Sequence, residues 1–329
     1  MTEFSQNQDP FSRHQGAGFS GGEKQNAFNP NLYLNVYPPK GIREKKLKIR
    51  ILPSGDINNL DPFMEIYAHN IEVEPSENFS NGKWKTLMCP KSLALLGGNN
   101  ASPCPICEAH DKLLKESKAE TDTLKAETIH TTAKGYYARL FYVIRCIDRE
   151  HEDEGVKFWR FPSSAKNDGI FDKLKSIYQS VMDEVGVNIF DINNGYDINV
   201  TVSVDGNGKR AFMLTPVMNS SPLNTNTDIA NAWLYDNKTW VNAFPVKNYD
   251  YLNAVLVSKR KPLWDDSKKT FVPNLTKDEQ NSVPQTNMVN ENQPVQNNVQ
   301  QNQNYYQQSN NMQEPPQNDN TYYENNTPF

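Results

Sequence analysis

The feature that most constrains this chain is a cluster of soft donors, His69-x19-Cys89-x14-Cys104-x2-Cys107. Three of its four cysteines fall within 19 residues, and the last pair sits in Ser102-Pro103-Cys104-Pro105-Ile106-Cys107. A C-P-x-C turn aims two thiolates at one point, the geometry that a tetrahedral zinc ion demands. A structural site closes all four positions with protein ligands. Cys89, Cys104 and Cys107 supply three, and His69, His110 and Cys146 compete for the fourth. His110 follows Cys107 by three residues, within reach if the turn opens a helix. Cys146 lies mid-strand among apolar neighbours, where a buried inert thiol is the ordinary outcome. No His-x-Glu pair accompanies the cysteines as in zinc deaminases, and H-E-x-x-H is missing, so a catalytic zinc is not indicated.

Compartment decides between metal and disulfide. No run of about 18 apolar residues occurs, which excludes a transmembrane helix. The start, Met1-Thr2-Glu3-Phe4-Ser5, lacks the apolar core of a signal peptide. The expectation is a reducing cytoplasm, where clustered cysteines bind metal.

The net charge of −5 argues against a polyanion partner until it is divided. Residues 280–329 carry Glu291, Glu314, Asp319 and Glu324 with no Lys or Arg, so −5 less −4 leaves −1 for residues 1–279. Within those, 40–50 holds six cations against Glu44, a local +5. Patches decide where a phosphate backbone can sit.

Composition also marks the ends. Residues 1–30 are rich in Gly, Ser, Asn and Gln without periodicity and are expected to be a disordered arm. In 280–329, 25 of 50 residues are Asn or Gln, too few apolar groups to offset ordering entropy, so 276–329 is expected to be a disordered tail. The folded body is then 31–275, with the metal lobe at about 63–130.

Strand signals dominate that body. Leu47, Ile49 and Ile51 alternate with Lys46, Lys48 and Arg50, the period of a half-buried strand. Residues 136–147 read as one long strand, with Tyr137, Arg139, Phe141 and Arg145 on one face. Residues 157–161, 197–204 and 210–217 continue the series, and Asp205-Gly206-Asn207-Gly208 is a hairpin turn. Residues 170–185 carry a helical apolar stripe ending at Gly186, a C-cap. Residues 108–127 read as a solvated charged helix. The predicted class is mainly β with inserted helices (α+β), an OB-fold barrel with an embedded zinc-binding subdomain.

Single strands are held by cations along the backbone and by rings under the bases. Tyr137, Arg139, Phe141 and Arg145 present both from one strand face, and Trp159, Arg160 and Phe161 from the next. Lys46, Lys48 and Arg50 add charge. Arginines beside aromatics on one face resist plain burial, which favours binding. Enzymatic alternatives find no support. P-loop, G-x-G-x-x-G and G-x-S-x-G patterns do not occur, nothing suits two-metal nuclease chemistry, and Glu150-His151-Glu152-Asp153-Glu154 reads as a hairpin tip.

Ordered landmarks through most of 31–217 resemble the single-stranded DNA-binding (helix-destabilising) protein family of T-even bacteriophages. Lys48-Ile49-Arg50-Ile51-Leu52-Pro53-Ser54 is similar to that family's first strand, and Tyr67-Ala68-His69-Asn70 to its zinc-histidine stretch. Cys89, Cys104 and Cys107 match its zinc cysteines, and Gly135-Tyr136-Tyr137-Ala138-Arg139 its aromatic strand, with Lys134 at a DNA-contacting position. Phe158-Trp159-Arg160-Phe161 and the helix at 170–185 complete the order. The resemblance implies His69 as fourth ligand of one structural Zn2+. It also implies an OB-fold, no catalytic activity, self-association along the strand, and coating of single-stranded DNA during phage replication, recombination and repair in the bacterial host cytoplasm. The ending Thr327-Pro328-Phe329 resembles instead the tip of bacterial single-stranded DNA-binding proteins, which implies Pro328 and Phe329 as docking residues for partner enzymes. The competing reading is a zinc-containing replisome or transcription adaptor that acts through protein contacts.

Overall fold

The computed structural model describes residues 29–282, except 54–60, 77–78, 80–81, 97–101, 165 and 167. Most of the expected arm and of the expected tail lies outside the described residues, as do the docking residues Pro328 and Phe329. One antiparallel sheet organises the body. Its strands are β1 (Glu44–Ile51), β2 (Met64–Glu72), β3 (Trp84–Met88), β4 (Arg139–Asp148), β5 (Val156–Pro162), β6 (Ile198–Val204) and β7 (Arg210–Pro216). They run β3-β2-β4-β1-β6-β7, with β5 on the other edge of β4. The class is α+β, mainly antiparallel, as expected. No ladder among the described residues joins β7 back to β3.

The helices are α1 (Pro105–Ala119), α2 (Thr123–Gly135), α3 (Ile170–Val185), α4 (Thr227–Leu234), α5 (Trp240–Ala243) and α6 (Tyr249–Ser258). A hairpin of β8 (Leu263–Asp265) and β9 (Thr270–Val272) follows. A separate short unit contains α7 (Lys277–Ser282). No helix among the described residues is long and apolar enough to cross a membrane.

Local chemistry explains much of this. Gly186 ends α3 in the left-handed region at φ 71°, which costs a glycine little. Gly208 turns the β6–β7 hairpin at φ 81° while Asp205 accepts from the N–H groups of Asn207 and Lys209. The charged stretch expected as one helix at 108–127 is two, because Asp122 starts a new helix by accepting from the N–H groups of Leu124 and Lys125. The strand expected from residue 136 begins only at Arg139, since Tyr136 caps α2 through its N–H to Ala133 and Lys134.

The larger departure concerns faces. Leu47, Ile49 and Ile51 join Tyr142, Ile144, Cys146, Trp159 and α3 in the main core, as alternation implies. The other face of the sheet is covered too. Leu52, Ile147 and Val156 pack with Leu223 and Trp233, while Ile66, Val143 and Phe158 pack with Trp240 and Phe244. Arg50, whose alternating position suggested solvent, is therefore buried at 1 % exposure.

A buried charge survives only when paired and hydrogen-bonded. Arg50 meets this with Nη1 on Asp197 (3.3 Å) and Nη2 donating to the carbonyls of Asp191 (2.9 Å) and Ser221 (2.8 Å). Asp197 also takes Arg149 Nε at 3.0 Å. Gly195 is needed beneath this cluster, because a Cβ there would lie 2.3 Å from the Asp191 carbonyl and 2.7 Å from Arg50 Nη2. Asp197→Ala, which removes the carboxylate shared by two inward guanidinium groups, is expected to cost about 3 kcal/mol in urea unfolding. A loss within the range of ordinary surface substitutions would show the cluster to be dispensable.

Candidate metal centre and nucleic-acid interface

Three chain segments deliver four donors to one point. β2 turns Tyr67, His69 and Ile71 toward one cluster and Ile66 and Ala68 toward another. β3 pairs antiparallel with it, His69 opposite Leu87, and Cys89 extends the pairing through its N–H to the Tyr67 carbonyl (2.9 Å). Cys104 is the N-cap of α1 and Cys107 lies in its first turn, with Pro105 pre-set for helix entry. The spacing C-P-x-C thus places two sulfurs over one helix N-terminus.

The distances fit a tetrahedral ion. Zn–S of about 2.3 Å and Zn–N of about 2.0 Å require S···S of about 3.8 Å and N···S of about 3.5 Å. Cys89 and Cys107 sulfurs are 3.7 Å apart, and His69 Nε2 lies 3.4 Å from Cys104 and 3.7 Å from Cys107. All four ligand atoms fall within 4.8 Å of one another and all four residues are buried. The His69 Nδ1 is 2.9 Å from the Tyr136 carbonyl, which can only accept. Nδ1 therefore carries the proton, and the Nε2 lone pair faces the sulfurs. His110 and Cys146 stand apart. His110 contacts Asp111 and the Tyr137 ring, and Cys146 belongs to the main core with its thiol on the Lys157 carbonyl.

The thiols are electrostatically crowded. Hydrogen bonds from Cys107 and Cys89 pull the Cys104 thiol down to about 3, and the N–H groups of Cys107 and Ile106 add to this. The same contacts push Cys89 upward, with burial adding to them. Cys104 ionises at the expense of Cys89, and a cation at the centre of the donor set would relieve that conflict. Ile71, Val73, Phe79, Leu87, Ile106, Leu252 and Val255 surround it with apolar groups.

Beside the centre is a depression of about 320 Å³, walled by Tyr67, Lys91, His110, Tyr136, Tyr137 and Ala138. Tyr137 is 59 % exposed, and its ring leans on His110 at 5.8 Å. Arg139 and Lys134 are exposed nearby in the chain, at the start of β4 and the end of α2. Tyr136 is half-buried under Lys259, whose ammonium lies 4.7 Å from its ring and donates to its hydroxyl at 3.1 Å.

Several residues expected to contact DNA are held elsewhere. Trp159 is 1 % exposed and packs edge-on against Phe161. Arg145 Nη2 donates to the carbonyls of Trp233 (2.6 Å) and Leu234 (3.0 Å), closing the end of α4. Arg160 lies between the rings of Phe141 (5.2 Å) and Phe244 (4.8 Å). With Arg50 inside, these side chains are engaged within the body, and Phe141, which packs on Arg160, is partly buried. The physical reason is that β4 is central in the sheet and covered on both faces. Lys46 and Lys48 are exposed but far from the depression. Arg139 and Cys146 are seven residues apart on β4, roughly 23 Å, and β1 leads further away from there.

Sequence reasoning missed Tyr67, Lys91 and His110 as cleft residues. Tyr67 was legible, because period 2 puts it on the strand face of His69.

Replacing Cys104 with Ser is expected to lower bound metal and melting temperature together, while Cys146→Ser keeps the metal stoichiometry. Equal metal content in wild type and Cys104→Ser, by atomic absorption, would remove Cys104 from the ligand set.

No curated protein matches the sequence. The sequence model of the family described as gp32 DNA binding protein like matches residues 45–233, which includes all four converging donors and Tyr137. That span is more than half of the 329 residues. The chain therefore belongs to the gp32 DNA binding protein like family.

Proposed function

We propose that this protein binds single-stranded DNA without sequence preference and carries one structural zinc ion. The donor set supports the metal, since three thiolates and one imidazole at tetrahedral spacing suit Zn2+ better than oxygen-seeking cations. When bound, the ion ties β2, β3 and the start of α1 together. The residues around it do the recognition.

The observation that carries the DNA reading is Tyr137, a largely exposed ring in a depression beside the metal lobe. Bases stack on exposed rings, each worth roughly 1–3 kcal/mol, and every base has a face to offer. In a duplex those faces are occupied by neighbouring pairs, so the cleft favours unpaired strands. Tyr67 and His110 extend the wall of rings, with His110 paired to Asp111, and Lys91, Lys134 and Arg139 supply cations for phosphates. Lys46 and Lys48 form a separate basic stretch along β1 that a longer strand reaches. The reading assigns binding with no catalytic step. It places the protein as a coat for single strands in phage replication, recombination and repair, in a host cytoplasm. Pro328 and Phe329 dock partner enzymes.

Tyr137→Ala is expected to weaken binding to poly-dT about tenfold and to change duplex binding much less. Removing both Lys134 and Arg139 should flatten the salt dependence by about 1.4 in log–log slope, at about 0.7 per neutralised phosphate. Arg145→Ala, by contrast, should lower stability and leave the slope alone. No binding to poly-dT at low salt would end this reading.

A further inference from the structure

The β8–β9 hairpin presents a second ring to solvent. Trp264 is 50 % exposed, although its indole is fixed in place. It makes a T-shaped contact with Phe271 at 5.0 Å and 71°, and its Nε1 donates to Asp266 at 3.1 Å. Phe271 is in turn held edge-on by Tyr251 of α6 at 5.1 Å. A ring held this way loses little side-chain freedom when a flat partner arrives.

Its surroundings are cationic. Residues 259–269 hold Lys259, Arg260, Lys261, Lys268 and Lys269 against Asp265 and Asp266, a local +3. Lys268 and Lys269 reach those carboxylates only at 3.8 and 3.6 Å, and both lysine side chains stay more than half exposed. Surface pairs of this kind are worth little, so a phosphate competes with them readily.

The hairpin is also continuous with the cleft. Lys259 covers the Tyr136 ring that walls the depression, and its backbone accepts from Glu74 N at the end of β2. Five residues of chain, at most about 18 Å, separate Lys259 from Trp264. The family match ends at residue 233, so this surface lies outside it.

We propose that the β8–β9 hairpin is a second stacking platform for single-stranded DNA, on which Trp264 takes a base that has left the cleft and the flanking lysines take its phosphates. The proposal rests on the single-strand reading of the cleft, and oligonucleotide length separates the two. With the full chain, an oligo-dT of about 5 nucleotides fills the cleft alone, whereas one of about 16 reaches the hairpin. Trp264→Ala should weaken the long oligonucleotide about tenfold and the short one less than twofold. Trp264→Phe keeps a ring and should recover most of the loss. Lys261→Ala with Lys268→Ala and Lys269→Ala should reduce the salt slope for the long oligonucleotide only.

The intrinsic fluorescence gives an independent readout. Of five tryptophans, Trp159, Trp233 and Trp240 are buried, so Trp84 and Trp264 dominate solvent-accessible emission. In a Trp84→Phe background, the long oligonucleotide should quench emission and the short one should not. If Trp264→Ala binds the long strand as wild type does, the hairpin is no DNA surface, and protein contact becomes its use. If wild type fails to bind the short strand, the cleft reading fails first. Loss of folding in Trp264→Ala would shift the decision to Trp264→Phe and the lysine variants, whose wild-type affinity and slope would overturn the proposal.

Discussion

Everything at the binding end of this molecule depends on three sulfurs and one imidazole being brought closer than their charges alone would allow. The thiols contact one another in an apolar shell, where ionising one raises the cost of ionising the next. A cation held there would invert that balance and give each donor a bond in place of repulsion. It would thereby fasten the start of α1 to β2 and β3, which already pair with each other. The effect reaches one residue further. His69 holds the Tyr136 carbonyl, so the end of α2 and the neighbouring Tyr137 are positioned from the donor cluster outward. A ring oriented before the strand arrives has less freedom to lose on binding.

Charge on the remaining body divides by depth. Arg50 and Arg145 use the planar fork of guanidinium to satisfy several buried acceptors at once, and Arg160 lies against two rings. Lys46, Lys48, Lys134 and Arg139 stay in water, where they hold charge at little cost and can exchange counterions for phosphates. Counting cations along a strand cannot distinguish these fates. What distinguishes them is whether another element covers that face.

That is also where the sequence stopped being readable. The stripe over 170–185 with Gly186, the hairpin at 205–208 and the C-P-x-C turn are set by neighbours a few residues away, and each stands in the structure as its local chemistry implies. The long-range outcomes were different. Arg145 reads as exposed because α4, whose carbonyls hold it, lies some 80–90 residues downstream, and Trp159 because the sheet face it occupies is closed by α3 and by strands distant in the chain. The break between α1 and α2 was visible in principle at Asp122, a capping residue inside a charged run. His69 itself could be chosen over His110 from the residues alone only once a strand face was known to point it at the cysteines.

The segment beyond the family match is bound into the metal lobe by the same logic of coverage. Leu252 and Val255 of α6 complete the apolar shell around Cys89, Cys104 and Cys107. Tyr249 donates to Glu108 at 2.7 Å, one residue past Cys107, and Arg260 pairs with Glu74 beyond β2. A thiolate centre in contact with water is open to competing protonation and exchange, and closing it needs apolar area that α1 alone does not have, since only Pro105, Ile106 and Cys107 of that helix are buried. The α6 helix supplies that area. The metal lobe is therefore one unit assembled from both ends of the folded body, with its donors inside the matched span and part of its cover outside it.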